Sequence, residues 1–192
     1  MFAEFLAHPG VEEHVALRSR VGFLALHGGL EPGTAELAID AAAASGASLY
    51  AVVQPNDLKW HVPAHQVAPV DAPSLAAFLE HVDIVVSLHG YLRPGLRTSV
   101  LVGGANRRLA EELGRRLREA LPEYEVICDL TRIPPDLRGV HPANPVNLSR
   151  GGGVQLELPH PVRSIGPFRD ASYRRHTSTL ADTLAGYAAS AA

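Results

Sequence analysis

Three apolar runs in this chain carry polar residues able to do chemistry. LALHGGLE (24–31) ends in His27 and places Glu31 beyond a glycine pair. VVSLHGY (85–91) ends in His89, and VQLELPHP (154–161) embeds Glu157 among aliphatic residues. Histidine and carboxylate are ligands of catalytic zinc, which takes three protein ligands and keeps a position open for water. His27, Glu31 and His89 make such a set for one Zn²⁺ per chain. An isolated acid in an apolar strand is costly to bury without a partner. Glu157 is therefore the candidate general base for the water. The bland reading is that strand-terminal histidines are hydrogen-bonded structural residues and Glu157 an edge-strand acid facing water. Glycine after each histidine weighs against it, because glycine lets backbone approach a ligand closely. On patterns alone both readings stand.

Other residues fill supporting roles. Lys59 is the single lysine among 17 basic residues, so the chain's cations are arginines. Arg93, Arg150 and Arg163 lie near the proposed ligands and base in sequence, and guanidinium groups clamp carboxylates with paired hydrogen bonds. Asn147, in the segment NPVNLSR, joins Arg150 as a substrate-binding candidate. His61, His65 and His160 are candidates to line a pocket. VGGANRR and RGGGVQLE lack both the Walker and the GxGxxG pattern, so they read as turns rather than phosphate cradles. The one cysteine, Cys128, excludes an internal disulfide and any cysteine-based zinc site. It lies in the apolar run YEVICDL and reads as an inert buried thiol.

Regular elements must position these residues. VGFLAL (21–26), SLYAVVQ (48–54), DIVVSLH (83–89), SVLVGGA (99–105), YEVICDL and VQLELP read as strands. TAELAIDAAAASG reads as a helix with Thr34 as N-cap and Gly46 as stop. SLAAFLEHV is a short helix capped by Asp71 or Ser74. In NRRLAEELGRRLREAL, Leu109, Leu113, Leu117 and Leu121 recur every fourth residue, with Glu112 and Arg116 paired on the exposed face. A last helix runs through Leu180, Leu184 and Tyr187. Strands alternating with helices predict a three-layer α/β fold, its sheet mostly parallel, twisted and flanked by helices. The short span between 83–89 and 99–105 leaves no room for a helical crossover, so the sheet is expected to be mixed. Ligands of such sheets bind beyond the carboxyl ends of the strands, where His27 and His89 fall.

Composition is that of a globular protein rather than a disordered one. The 192 residues fit one domain, 1–192, with 46% hydrophobic and 19% charged residues. A net charge of −3 offers no footprint for nucleic acid. The N-terminus has no basic, long-apolar leader, and no apolar run reaches the roughly 20 residues of a membrane span, so a cytoplasmic location without membrane contact is expected. Oligomeric state is left open.

The ordered blocks HGGLEPGTAELA, SLHGY, LVGGANRRLAEEL and NPVNLSRGGGVQLELPHPVR resemble the zinc-dependent poly-γ-glutamate hydrolase family, from about Val21 to Arg163. The resemblance implies a zinc-carboxypeptidase-like fold with a mononuclear zinc at the strand ends. It implies His27, Glu31 and His89 as ligands and Glu157 as catalytic carboxylate, in agreement with the independent assignment. Three residues separate His27 from Glu31, where carboxypeptidases have two; Glu36 is the next carboxylate along. The implied reaction is hydrolysis of a γ-glutamyl or related acyl-amino-acid amide in a small or peptide-like acidic substrate. Arg93 or Arg163 would hold a substrate carboxylate or steady the oxyanion. Competing readings are another zinc deacylase of this architecture, acting on N-acyl-amino acids or D-aminoacyl-tRNA, and a non-catalytic metal- or ligand-binding relative.

Overall fold

The computed structural model describes residues 1–164 and 170–191. Its strands are β1 (Glu12–Ala16), β2 (Val21–Gly28), β3 (Ser48–Val53), β4 (Ile84–Gly90), β5 (Ser99–Val102), β6 (Glu125–Ile127) and β7 (Gly153–Leu158). The helices are α1 (Phe2–Leu6), α2 (Thr34–Ser45), α3 (Pro73–His81), α4 (Arg107–Ala120) and α5 (Arg174–Ala191). One sheet takes the order β1-β3-β2-β4-β7-β5-β6. β3, β2, β4 and β7 run parallel, while β1 pairs antiparallel with β3 and β5 antiparallel with β7. The sheet is mixed, as expected, although β7 lies between β4 and β5.

Strand alternation divides the interior into layers. Phe23 and Ala25 of β2, Val86 and Leu88 of β4, and Val154, Leu156 and Leu158 of β7 face the core shared with α2, α4 and α5. Leu24, Leu26 and Val85 face the opposite core, closed by Phe2 and Phe5 of α1 and by Leu75 and Phe78 of α3. Leu109, Leu113 and Leu117 of α4 are buried, and Asn106 caps that helix by accepting the Leu109 N–H at 3.1 Å. Two expected caps differ. Thr34 is the first helical residue of α2 after Gly33, and α3 starts at Pro73 with neither Asp71 nor Ser74 as cap.

Two elements were missing from the sequence reading. β1 carries the polar string EEHVA on the sheet edge, mostly outside the core, so hydrophobic periodicity gives no signal for it. α1 has only five residues, too few for a helical period to show. Among the described residues no helix is long and apolar enough to cross a membrane.

Candidate metal centre and its cleft

The parallel strands deliver the predicted residues to one end of the sheet. By alternation from Ala25, His27 would face the α2/α4/α5 core, away from His89. Between the pairs Ala25–Ala51 and Gly28–Val53 the register of β2 against β3 slips. Such an irregularity re-aims side chains, and the Nδ1 atoms of His27 and His89 lie 3.2 Å apart. Glu31 follows in a tight turn in which its N–H donates to the His27 carbonyl at 2.8 Å. Two glycines permit that turn. Gly29 has φ 81° with the Gln54 carbonyl 2.0 Å from where a Cβ would sit; Gly33 has φ 90° with the Arg163 carbonyl at 1.8 Å.

Glu31 closes the cluster. Its Oε1 is 2.9 Å from His27 Nδ1 and its Oε2 3.5 Å from His89 Nδ1. The Gly90 N–H donates to Oε2 at 2.8 Å and fixes the carboxylate plane. His27 Nε2 donates to the Val62 carbonyl at 2.9 Å, which leaves Nδ1 turned inward. His89 Nε2 is buried with no hydrogen-bond partner. Burial opposes charge on both His27 and Glu31. Their attraction outweighs it, so the His27 pKa is raised and that of Glu31 is held far below the carboxylate range.

The donor set could hold a metal ion. Ligand atoms of His27, Glu31 and His89 all lie within 4.8 Å of one another. Nitrogens about 2.0–2.1 Å from a tetrahedral zinc stand about 3.3 Å apart, and the two Nδ1 atoms are separated by 3.2 Å, with one Glu31 oxygen facing each imidazole. Glu36, the alternative carboxylate, lies in the first turn of α2 and outside the cluster.

Glu157 stands opposite His89 in the β4–β7 register and is only 4% exposed. It sits on an interior strand, so the edge-strand reading fails. Burial, then the nearby Glu31 charge, raises its pKa well above the ordinary carboxylate value. Gln155, two residues earlier on the same strand face, donates to Glu157 Oε1 at 2.9 Å. Asn144 in turn donates to Gln155 Oε1 at 2.9 Å. His27, Glu31, His89 and Glu157 open on a cleft of about 560 Å³ that Asn144, Gln155, His61, His65 and His141 also line. The His61 ring centroid is 4.8 Å from that of His27, and burial followed by the His27 charge lowers its pKa.

The remaining candidates separate. Arg163 is buried behind the cluster, with Nε donating to the Leu158 carbonyl at 3.1 Å and Nη1 to that of Pro32 at 2.5 Å. Burial lowers its pKa. Arg93 pairs with Asp136 on the cleft rim. Asn147 spends its amide on protein, accepting the Ala105 N–H and donating to the Gly139 and His141 carbonyls, so it braces a cleft loop rather than entering the cleft. Arg150 pairs with Asp83 at 3.7 Å, at the start of β4. His89 is at the other end of that strand, so closeness to Glu157 in sequence placed Arg150 at the wrong end of the sheet. Gln155 and Asn144 were missed. Gln155 was open to discovery, since period-two spacing puts it on the Glu157 face; Asn144 comes from an irregular loop and left no signal.

A mixed α/β sheet holding a His–Glu–His cluster and a buried acid at the carboxyl ends of its parallel strands defines an α/β protein with a candidate metal centre. The sequence profile of the poly-gamma-glutamate hydrolase family matches residues 4–190, and the chain belongs to that family of hydrolases. Its fold is similar to that of a bacteriophage poly-gamma-glutamate hydrolase, with TM-score 0.71 and 22% identity over 93% of this chain and 89% of that one. It is also similar to zinc-free apo YNDL, with TM-score 0.73 and 24% identity over 91% of this chain and 89% of that one. A metallo-carboxypeptidase from Burkholderia cenocepacia aligns at TM-score 0.48 and 10% identity, over 100% of this chain and 68% of that one. No curated protein sequence matches the chain significantly.

Proposed function

We propose that this chain is a zinc-dependent amidohydrolase of γ-glutamyl linkages, in which His27, Glu31 and His89 hold the metal and Glu157 is the general base. The observation that carries this reading is the convergence of the His–Glu–His donor set with a buried, raised-pKa glutamate in one cleft. Family membership supports the substrate class.

When bound, zinc polarises the scissile carbonyl and lowers the pKa of its water toward ~7. The chain's own residues do the rest. Val62 holds the proton of His27 on Nε2, which keeps the Nδ1 lone pair available as a ligand. Gly90 holds the Glu31 carboxylate toward the two imidazoles. Glu157 takes the proton of the attacking water and passes it to the amine nitrogen as the amide C–N bond breaks. Gln155 occupies Glu157 Oε1, so the other carboxylate oxygen is the one available for that proton. Arg163 contributes fixed positive charge from behind the cluster, and Arg93 at the rim is the candidate for a carboxylate of the acidic substrate.

Replacing Glu157 with glutamine tests the assignment. Cleavage of poly-γ-glutamate is expected to fall by about 10²–10⁴, with zinc content by elemental analysis unchanged. Undiminished cleavage by E157Q contradicts the role of Glu157. A wild-type chain that cleaves no γ-glutamyl amide contradicts the function.

A further inference from the structure

We infer that a second cavity, beside the catalytic cleft, is a carboxylate-binding subsite that takes a γ-glutamyl unit beyond the one at the scissile bond. This deepens the functional reading above and rests on it. A γ-linked glutamate chain carries a free α-carboxylate on every residue, separated by methylene groups. Neither arginine nor lysine is among the lining residues of the catalytic cleft, and Arg93 at its rim is paired with Asp136.

The cations lie next door. A cavity of about 330 Å³ is lined by Arg93, Arg97 and His160 together with Tyr91, Tyr173 and Thr98. The two cavities are neighbours: Gly90 lines the first and Tyr91 the second, while Arg93 of the second pairs with Asp136 of the first. Tyr91 follows His89 by two residues, about 7 Å of extended chain, which is of the order of one repeat of a γ-linked polymer.

The chemistry matches the ligand. Asp136 already engages Arg93, whereas Arg97 is exposed and has no ion-pair partner among the described residues. The arginines ride on a braced loop, since Tyr91 Oη lies 2.5 Å from the Leu96 carbonyl oxygen and 2.6 Å from that of Ser99. Guanidinium binds carboxylate with paired hydrogen bonds, and the half-buried Tyr173 ring offers apolar surface to methylenes. The subsite makes affinity depend on chain length, and Arg97 is its specificity residue.

Calorimetry on the zinc-supplemented E157Q chain tests this, titrating a long γ-linked oligoglutamate and, separately, the γ-glutamyl dipeptide. Adding R97Q is expected to weaken oligomer binding about five- to tenfold while dipeptide affinity moves by less than about twofold. R97K, which keeps the charge, is expected to recover part of the loss. An equal loss for both ligands, or no loss, overturns the subsite while leaving the function standing. If the oligomer does not bind the E157Q chain and the wild type cleaves no γ-glutamyl amide, the functional reading falls and the subsite with it.

Discussion

The role proposed for Glu157 as general base rests on its neighbours. An acid on an interior strand, its pKa raised by burial and then by the Glu31 charge, holds a proton more readily than an exposed carboxylate does. Its orientation depends on Gln155, and that of Gln155 on Asn144. Replacing Gln155 with leucine removes the donor at similar volume. We expect kcat to fall by about 10–100-fold, the scale seen for partners that orient active groups, with KM and zinc content unchanged. Steady-state kinetics beside elemental analysis checks this; an unaltered kcat contradicts a positioning role. The residue types at 27, 31, 89 and 157 were legible because polar groups are conspicuous in apolar runs. Arg150 misled because residues seven apart along an extended segment can lie at opposite ends of a strand, and the ion pair to Asp83 is invisible in one dimension.

At the scale of elements, the site is made where β2 ends and α2 begins. The register slip of β2 turns His27 toward His89, and the turn through Gly29 and Gly33 brings Glu31 back over both. The glycine pair flags this turn in sequence, but the slip does not show, because strict alternation was the only available guide. Gly33 is the clearest test of the turn. An alanine there combines an unfavourable φ of 90° with a Cβ 1.8 Å from the Arg163 carbonyl. We expect G33A to destabilise the fold by about 3 kcal/mol or more, lowering Tm by roughly 6–12 °C for a chain of this size. Thermal unfolding followed by circular dichroism measures it, and an unshifted Tm contradicts the strained-turn account. The main strands and helices were legible from periodicity and from glycine and proline punctuation. The edge strand β1 was not, since a half-exposed polar strand has no apolar face to reveal it.

For the whole molecule, the proposed metal ties together β2, β4 and the turn into α2, elements on which the middle of the sheet depends. Zinc binding to the folded chain alone should therefore stabilise it. At about 100 times its Kd the ion adds roughly 2.7 kcal/mol, a rise of roughly 5–10 °C in Tm. Scanning calorimetry with and without zinc reads this directly, and the same Tm in both contradicts binding to the native state. The layered architecture was legible as a whole because strand and helix alternation dictates it. Which loops close the cleft was not, since Asn144 and His141 reach it along irregular chain. The most direct measurement is metal content by elemental analysis on protein purified without added zinc or chelator, beside H89A. About one zinc per chain, lost in H89A, is the result expected of a single three-ligand site. A chain that carries no metal and takes up no zinc on titration, or an H89A variant that keeps it, would contradict the proposed centre.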